Sequence, residues 1–270
     1  MAGNRGGEVP PCFHDPVDWN AFEPVERMPQ APQSSGEVYR YRHGGSGVEC
    51  VFKLLVVPMQ GEHDIELVMR GIQEAWTLGT HEGICTLYGC TYDLPNHRLV
   101  LATAYMDGLS LRDHMRPQQP IPERVVGSVV SQLTEVLHYL HKELHRAHRD
   151  LKPGNILVNR QGGVRLTDLG QSRQLQATLG VMGSFVGTQV YMSPQRIQGA
   201  NYTVGCDVWS LGLIAQECLQ GEFPYNIVLQ QNNVTDPNVD SMIDVMEAGP
   251  PPPPPPPPAG RRWRESSRTE

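Results

Sequence analysis

The sequence predicts an α+β fold, rich in β-structure in its first part and mainly helical in its second. Three observations predict it. Residues 38–57 read as strand, turn and strand. Residues 124–144 carry Val125, Val129, Leu133, Val136, Leu137 and Leu140 at helical spacing. Residues 207–220 are apolar nearly all round, as in a helix buried in the middle of a lobe.

Taken in order, residues 1–30 are rich in Gly, Pro and polar types without a period, which predicts a disordered N-terminal segment. Residues 38–42 are β-prone, and 43–47 form a turn because glycine tolerates positive φ. Residues 48–57 make the second strand. Residues 65–78 then read as a helix with Ile65, Val68, Ile72, Ala75 and Trp76 on one face. Residues 98–103 are a short strand, and 241–246 a further helix. Nine prolines, 250–258, follow; such a run is an extended polyproline II rod. It reads as a linker or tail, or alternatively as a ligand for an SH3 or WW domain, with Arg261, Arg262, Arg264 and Arg268 as flanking charge.

Composition removes several classes. The net charge of −7 over 270 residues argues against nucleic-acid binding. No run of eighteen apolar residues occurs, so no membrane span is expected. Residues 1–20 lack the apolar core of a secretory signal, and Ala2 stands where N-myristoylation needs glycine. The six cysteines form no CxxC pair, which fits reduced thiols and a cytoplasmic setting. At 39 % hydrophobic residues, the chain has enough apolar material for a sizeable core.

The chemistry concentrates in three short motifs. His148-Arg149-Asp150-Leu151-Lys152-Pro153 is followed by Asn155. Asp168-Leu169-Gly170 comes eighteen positions after Asp150, and Asp207-Val208-Trp209-Ser210 farther on. Phosphoryl transfer needs a carboxylate near the acceptor hydroxyl, a second carboxylate on magnesium and an amide oxygen on the other metal. Asp150, Asp168 and Asn155 supply these in that order. Together the motifs resemble the catalytic machinery of eukaryotic protein kinases. That resemblance implies a bilobal fold, with a β-rich N-lobe at 31–103, a hinge at 104–108 and a C-lobe at 109–249, preceded by the segment 1–30 and followed by the tail 250–270. It covers residues 31–249 and stops before the two helices that close the family's C-lobe.

The same resemblance assigns further residues. Lys53, in Cys50-Val51-Phe52-Lys53, corresponds to the lysine on the third strand that holds the α- and β-phosphates. Its acidic partner on the following helix is open. An ungapped count places Ile72 there, a two-residue deletion places Glu74, and Glu66 is a poorer candidate; Glu74 is preferred. The glycine-rich loop maps onto residues 31–38, where only Gly36 and Val38 match, so weaker nucleotide binding is expected. Adenine would meet the backbone of Ala104 and Met106, between Val38, Val51 and Leu157. Lys152 would neutralise the γ-phosphate, with Thr188 beside it. Leu169 replaces the usual Phe.

Residues 183–194 and the Met106-Asp107-Gly108-Leu109-Ser110-Leu111 stretch resemble the mitogen-activated protein kinase kinases. Members of that family phosphorylate Thr and Tyr in the activation loop of a downstream mitogen-activated protein kinase. The resemblance thus implies ATP and Mg2+ as cofactors, that substrate, and an upstream activating kinase acting on Thr178 and Ser184, which stand six apart. Gln195 stands where the family has a glutamate. With the degraded glycine loop, it leaves open a pseudokinase or scaffold that binds partners through the fold and the proline tail. A marginally folded fragment is the third reading.

Overall fold

The computed structural model describes residues 9–14, 16–29, 36–56, 72, 81–93, 95–168, 190–199, 203–231, 239–247 and 249. Its N-terminal half is a five-stranded antiparallel sheet. The strands are β1 (Phe22–Arg27), β2 (Glu37–His43), β3 (Glu49–Val56), β4 (Leu87–Asp93) and β5 (Arg98–Ala104), in the spatial order β1-β2-β3-β5-β4. The β2–β3 hairpin turns through Gly44–Gly47 with Val38 opposite Lys53 and Arg40 opposite Val51. This is the strand–turn–strand read from alternation and glycine.

Residues 9–14 and 16–27 are folded, where the sequence reads as a disordered N-terminal segment. They fold as two short 3-10 turns, Pro11–Phe13 and Trp19–Ala21, leading into β1. Phe13, Phe22, Phe52 and Tyr88 belong to one buried cluster on one face of the sheet, with Trp19 and Tyr41 packed against it. Phe13 lies 4.8 Å from Phe22 and 5.1 Å from Tyr88, ring centre to ring centre. Gly89 leaves the seat open. A Cβ there would stand 3.2 Å from the Trp19 ring and 3.7 Å from Phe13. The physical reason is aromatic area: several large rings close in sequence bury enough apolar surface to offset the entropy of ordering a Gly/Pro-rich segment.

On the other side of the sheet, Leu55, Leu87 and Leu99 form a second cluster, and Ile72 is buried with them. Ile72 therefore occupies an apolar site, which suits the helix face read from the sequence and does not suit a carboxylate. Glu66 and Glu74 lie outside the described residues.

The second half is helical. Its elements are α1 (Leu111–His114), α2 (Glu123–His138), α3 (Pro194–Ile197), α4 (Gly205–Gln220), α5 (Asn226–Gln231) and α6 (Val239–Glu247), with a two-stranded ribbon of β6 (Ile156–Val158) and β7 (Val164–Leu166). The core joins α2, α4, α6 and the ribbon through Leu133, Val136, Leu140, Leu166, Ile214 and Met242, all essentially inaccessible. The long helix expected over 124–144 is regular only to His138. Tyr139–Glu143 then widen into a π turn. Helix α4 is not apolar all round. Val208 is 59 % exposed, while Asp207, Ser210 and Glu217 are buried polar residues. Among the described residues, no helix is long and apolar enough to cross a membrane.

Candidate active site

The site is built on a buried carboxylate, Asp207, at the start of α4. Its Oδ1 accepts the N–H of Arg149 at 2.9 Å, and its Oδ2 accepts the N–H of His148 at 2.7 Å. Oδ2 also meets His141 Nε2 at 2.8 Å, brought there by the π turn. A carboxylate 1 % exposed has to be satisfied this fully, and the donors it recruits fix the loop that follows. Arg149 is thereby held at φ +68. The His148 ring completes the frame. Its Nδ1 accepts from the N–H of Asp150 at 3.2 Å, so its Nε2 carries the proton that is donated to the carbonyl of Thr167 at 3.1 Å.

Asp150 is positioned by its neighbours. Lys152 Nζ and Asn155 Nδ2 each donate to its Oδ2 at 2.9 Å, and Asn155 Nδ2 also reaches its main-chain carbonyl at 2.8 Å. The other oxygen, Oδ1, is buried with no hydrogen-bond partner among the described residues. A carboxylate oxygen without a hydrogen-bond partner is uncommon in a folded protein and marks a group kept for something other than packing. Because the Asn155 amide nitrogen is committed to Asp150, its amide oxygen is the atom of that side chain left to accept or to ligate.

Lys53 on β3 crosses to the second lobe. Its Nζ donates to Asp168 Oδ1 at 2.8 Å. Asp168 sits at φ +63, directly after Thr167, whose N–H bonds the Asn155 carbonyl at 3.0 Å. Burial drives the Asp168 carboxyl upward. The charge and hydrogen bond of Lys53, with Lys152 and His148 behind them, outweigh it and hold the group below the usual carboxylate range. Two carboxylates and an amide oxygen beside two ammonium groups fit a magnesium nucleotide: hard oxygen ligands for the cation, cations for the phosphates.

Val38 and Val51 lie on β2 and β3, and Leu157 on β6 beneath the hinge, where it bridges to Ser110. Ala104 and Met106 are buried. The Ala104 N–H, however, is already donated to the carbonyl of Thr86 at 2.9 Å, so Ala104 offers only its carbonyl to a base. Cys85 Sγ points to that same carbonyl at 3.5 Å. Burial pushes the Cys85 thiol up to about 11. Cys85 was not singled out from the sequence, because only its place behind the hinge distinguishes it from the other cysteines. Gly36 is at φ +82, and a Cβ there would come within 2.3 Å of the Leu54 carbonyl. That explains why this glycine persists in a loop that has lost the others. Thr178, Ser184 and Thr188, like the proline run, lie outside the described residues.

Comparison with known proteins agrees with this geometry. The family model described as "Protein kinase domain" matches residues 34–260. Mitogen-activated protein kinase kinase 2 of Arabidopsis thaliana is 36 % identical over 218 residues, covering 80 % of this chain and 57 % of that one. Mitogen-activated protein kinase kinase SIPKK of Nicotiana tabacum is 47 % identical over 131 residues, 48 % of this chain and 37 % of its own. Dual specificity mitogen-activated protein kinase kinase 1 of Dictyostelium discoideum is 37 % identical over 194 residues, 71 % and 28 % respectively. The chain thus spans 57 % or less of the length of these relatives. The catalytic frame around Asp207 and the match across most of the sequence lead to one conclusion: this chain belongs to the protein kinase domain family and, within it, resembles the mitogen-activated protein kinase kinases.

Proposed function

We propose that the chain is an ATP-dependent protein kinase that phosphorylates the activation loop of a mitogen-activated protein kinase, on Ser/Thr and on Tyr, in the cytoplasm. The observation that carries the catalytic part is Asp150. One of its oxygens is held by Lys152 and Asn155, while the other has no hydrogen-bond partner among the described residues. The Asp150 carboxylate orients the acceptor hydroxyl and takes its proton as the hydroxyl oxygen bonds the γ-phosphorus and ADP departs. Lys152 offsets the charge on the transferred group, and Lys53 holds the remaining phosphates. Asp168 and the Asn155 amide oxygen would hold magnesium, which would supply positive charge to offset that of the phosphates. Val38, Val51 and Leu157 enclose the base and exclude water from it.

The dual-specificity part rests on likeness to the relatives named above and on the family resemblance of residues 183–194. The test is incubation with γ-labelled ATP, magnesium and a catalytically dead mitogen-activated protein kinase, followed by site mapping. Label on both the threonine and the tyrosine of the activation loop supports the reading. Transfer to a generic peptide without transfer to that loop leaves a protein kinase of another substrate class. Magnesium-ATP binding, seen as a raised melting temperature, with no transfer to any substrate would mark a scaffold built on the same fold.

A further inference from the structure

A second polar constellation lies beside the active site and takes no part in the chemistry above. Arg112 on α1 donates from Nη1 to Glu217 Oε1 at 3.1 Å, and from Nη2 to the Tyr191 hydroxyl. The Tyr191 hydroxyl in turn donates to Glu217 Oε2 at 2.6 Å. Both oxygens of Glu217 are therefore engaged, and its side chain is 7 % exposed against 48 % for Arg112. The Glu217 carboxylate is hidden, and of the pair it is the Arg112 side chain that meets solvent. Without Arg112, the same spot would present Glu217.

The position matters because the three residues bracket the catalytic loop. Helix α1 follows the hinge, and Ser110 at its start bridges to Leu157, two residues beyond Asn155. Tyr191 is pinned from the other side. Ser210 Oγ donates to its carbonyl at 2.7 Å, and Arg196, five residues later, bonds the carbonyl of Arg149, next to Asp150. A peptide that presents a hydroxyl to Asp150 has to run past one of these flanks. Arg112 uses two of its five N–H donors in the bonds above, and its planar fork matches a carboxylate.

We propose that Arg112 is a specificity-determining residue, which receives an acidic side chain close to the acceptor hydroxyl and turns away a basic one. The inference rests on the protein kinase reading. It does not depend on which downstream kinase is the substrate.

The test uses two labelled peptides, identical except for Glu or Lys at the positions flanking one serine. The full chain should favour the Glu peptide by roughly three- to five-fold, through KM and not kcat, as for one partly exposed ion pair, and the ratio should shrink with salt. Arg112→Gln unmasks Glu217, so the preference should vanish or invert; Arg112→Lys should restore part of it. Fluorescence anisotropy of the peptides reads the same contrast without turnover, so failure of catalysis is told apart from failure of this inference. No discrimination by the unaltered chain overturns the proposal. So does an equal loss for both peptides in Arg112→Gln, which is what a purely structural tether predicts. If Arg112→Gln does not fold, the contrast in the unaltered chain and its salt dependence decide.

Discussion

Lys53 Nζ and Asp168 Oδ1 meet at 2.8 Å although 115 positions separate them in the chain. This pair joins the sheet to the catalytic segment, and it sets the charge state of the proposed metal ligand. Lys53→Met should weaken magnesium-ATP binding, and it should also change acid stability in a defined direction. The folded Asp168 carboxyl lies below its ordinary value of 3.8 because of Lys53. Its stabilising contribution is therefore present above that value and lost as pH falls through the lower, folded one. Without Lys53, the largest influence opposing burial is gone and the group rises relative to the parent. The gap in melting temperature between parent and variant should thus be widest near neutrality and narrow below about pH 4. A gap that stays constant with pH, in thermal melts across the acid range, would contradict the assignment.

Asp150→Asn should separate chemistry from binding. General-base catalysis is worth on the order of 100- to 10,000-fold, so single-turnover transfer should fall by at least about 100-fold. Magnesium-ATP affinity, measured by calorimetry, should stay within about two-fold, because Asp150 faces the acceptor and not the nucleotide. A rate near the parent's would remove Asp150 from the mechanism.

Gly36→Ala tests the remaining glycine of the loop. The backbone is at φ +82, and the added methyl would stand 2.3 Å from the Leu54 carbonyl. Left-handed backbone alone costs about 1–3 kcal/mol for a residue with a Cβ, and the clash adds to it. Chemical denaturation should show a loss of at least about 2 kcal/mol. A loss under about 0.5 kcal/mol would mean that the β2–β3 pairing shifts to admit the methyl.

Thr178→Asp combined with Ser184→Asp should raise transfer to a kinase substrate, by placing negative charge at the two hydroxyls proposed as the upstream kinase's targets. The gain should be partial, since a carboxylate carries less charge and fewer acceptor oxygens than phosphate. Phosphosite mapping of protein activated by an upstream kinase should find both hydroxyls modified. Finding neither would remove the regulatory assignment.

What could be read from the sequence follows from the range of each signal. The β2–β3 hairpin shows as alternation broken by Gly44, Gly45 and Gly47, because it pairs residues close in sequence; α4 shows as a helix of the core, but its buried Asp207, Ser210 and Glu217 do not. Strand β1 shows no such pattern. Of Phe22–Arg27 only Phe22 is buried, and Pro24 sits in the middle, so neither period nor propensity marks it. The seat for residues 9–21 is made by Phe52, Tyr88 and Gly89, which are far off in sequence. Asp150, Asn155 and Asp168 were legible because their spacing is their geometry. His141 on Asp207, and Arg112 on Glu217, join residues 66 and 105 positions apart and leave no local trace.

The first strand also bears on where this domain can be cut. The family match opens at residue 34, after β1 has ended. A chain begun there would turn β2, Glu37–His43, into the open border of the sheet, with a row of unpaired amides and the rings of Tyr41 and Phe52 laid bare. Strand β1 is itself suited to that border. It carries Pro24, a register shift between Pro24 and Glu26, and the charges of Glu23, Glu26 and Arg27, all of which deter a second strand from adding on. Cutting at the family boundary would exchange a guarded margin for an adhesive one, and self-association by strand addition would follow before any loss of catalytic residues was felt.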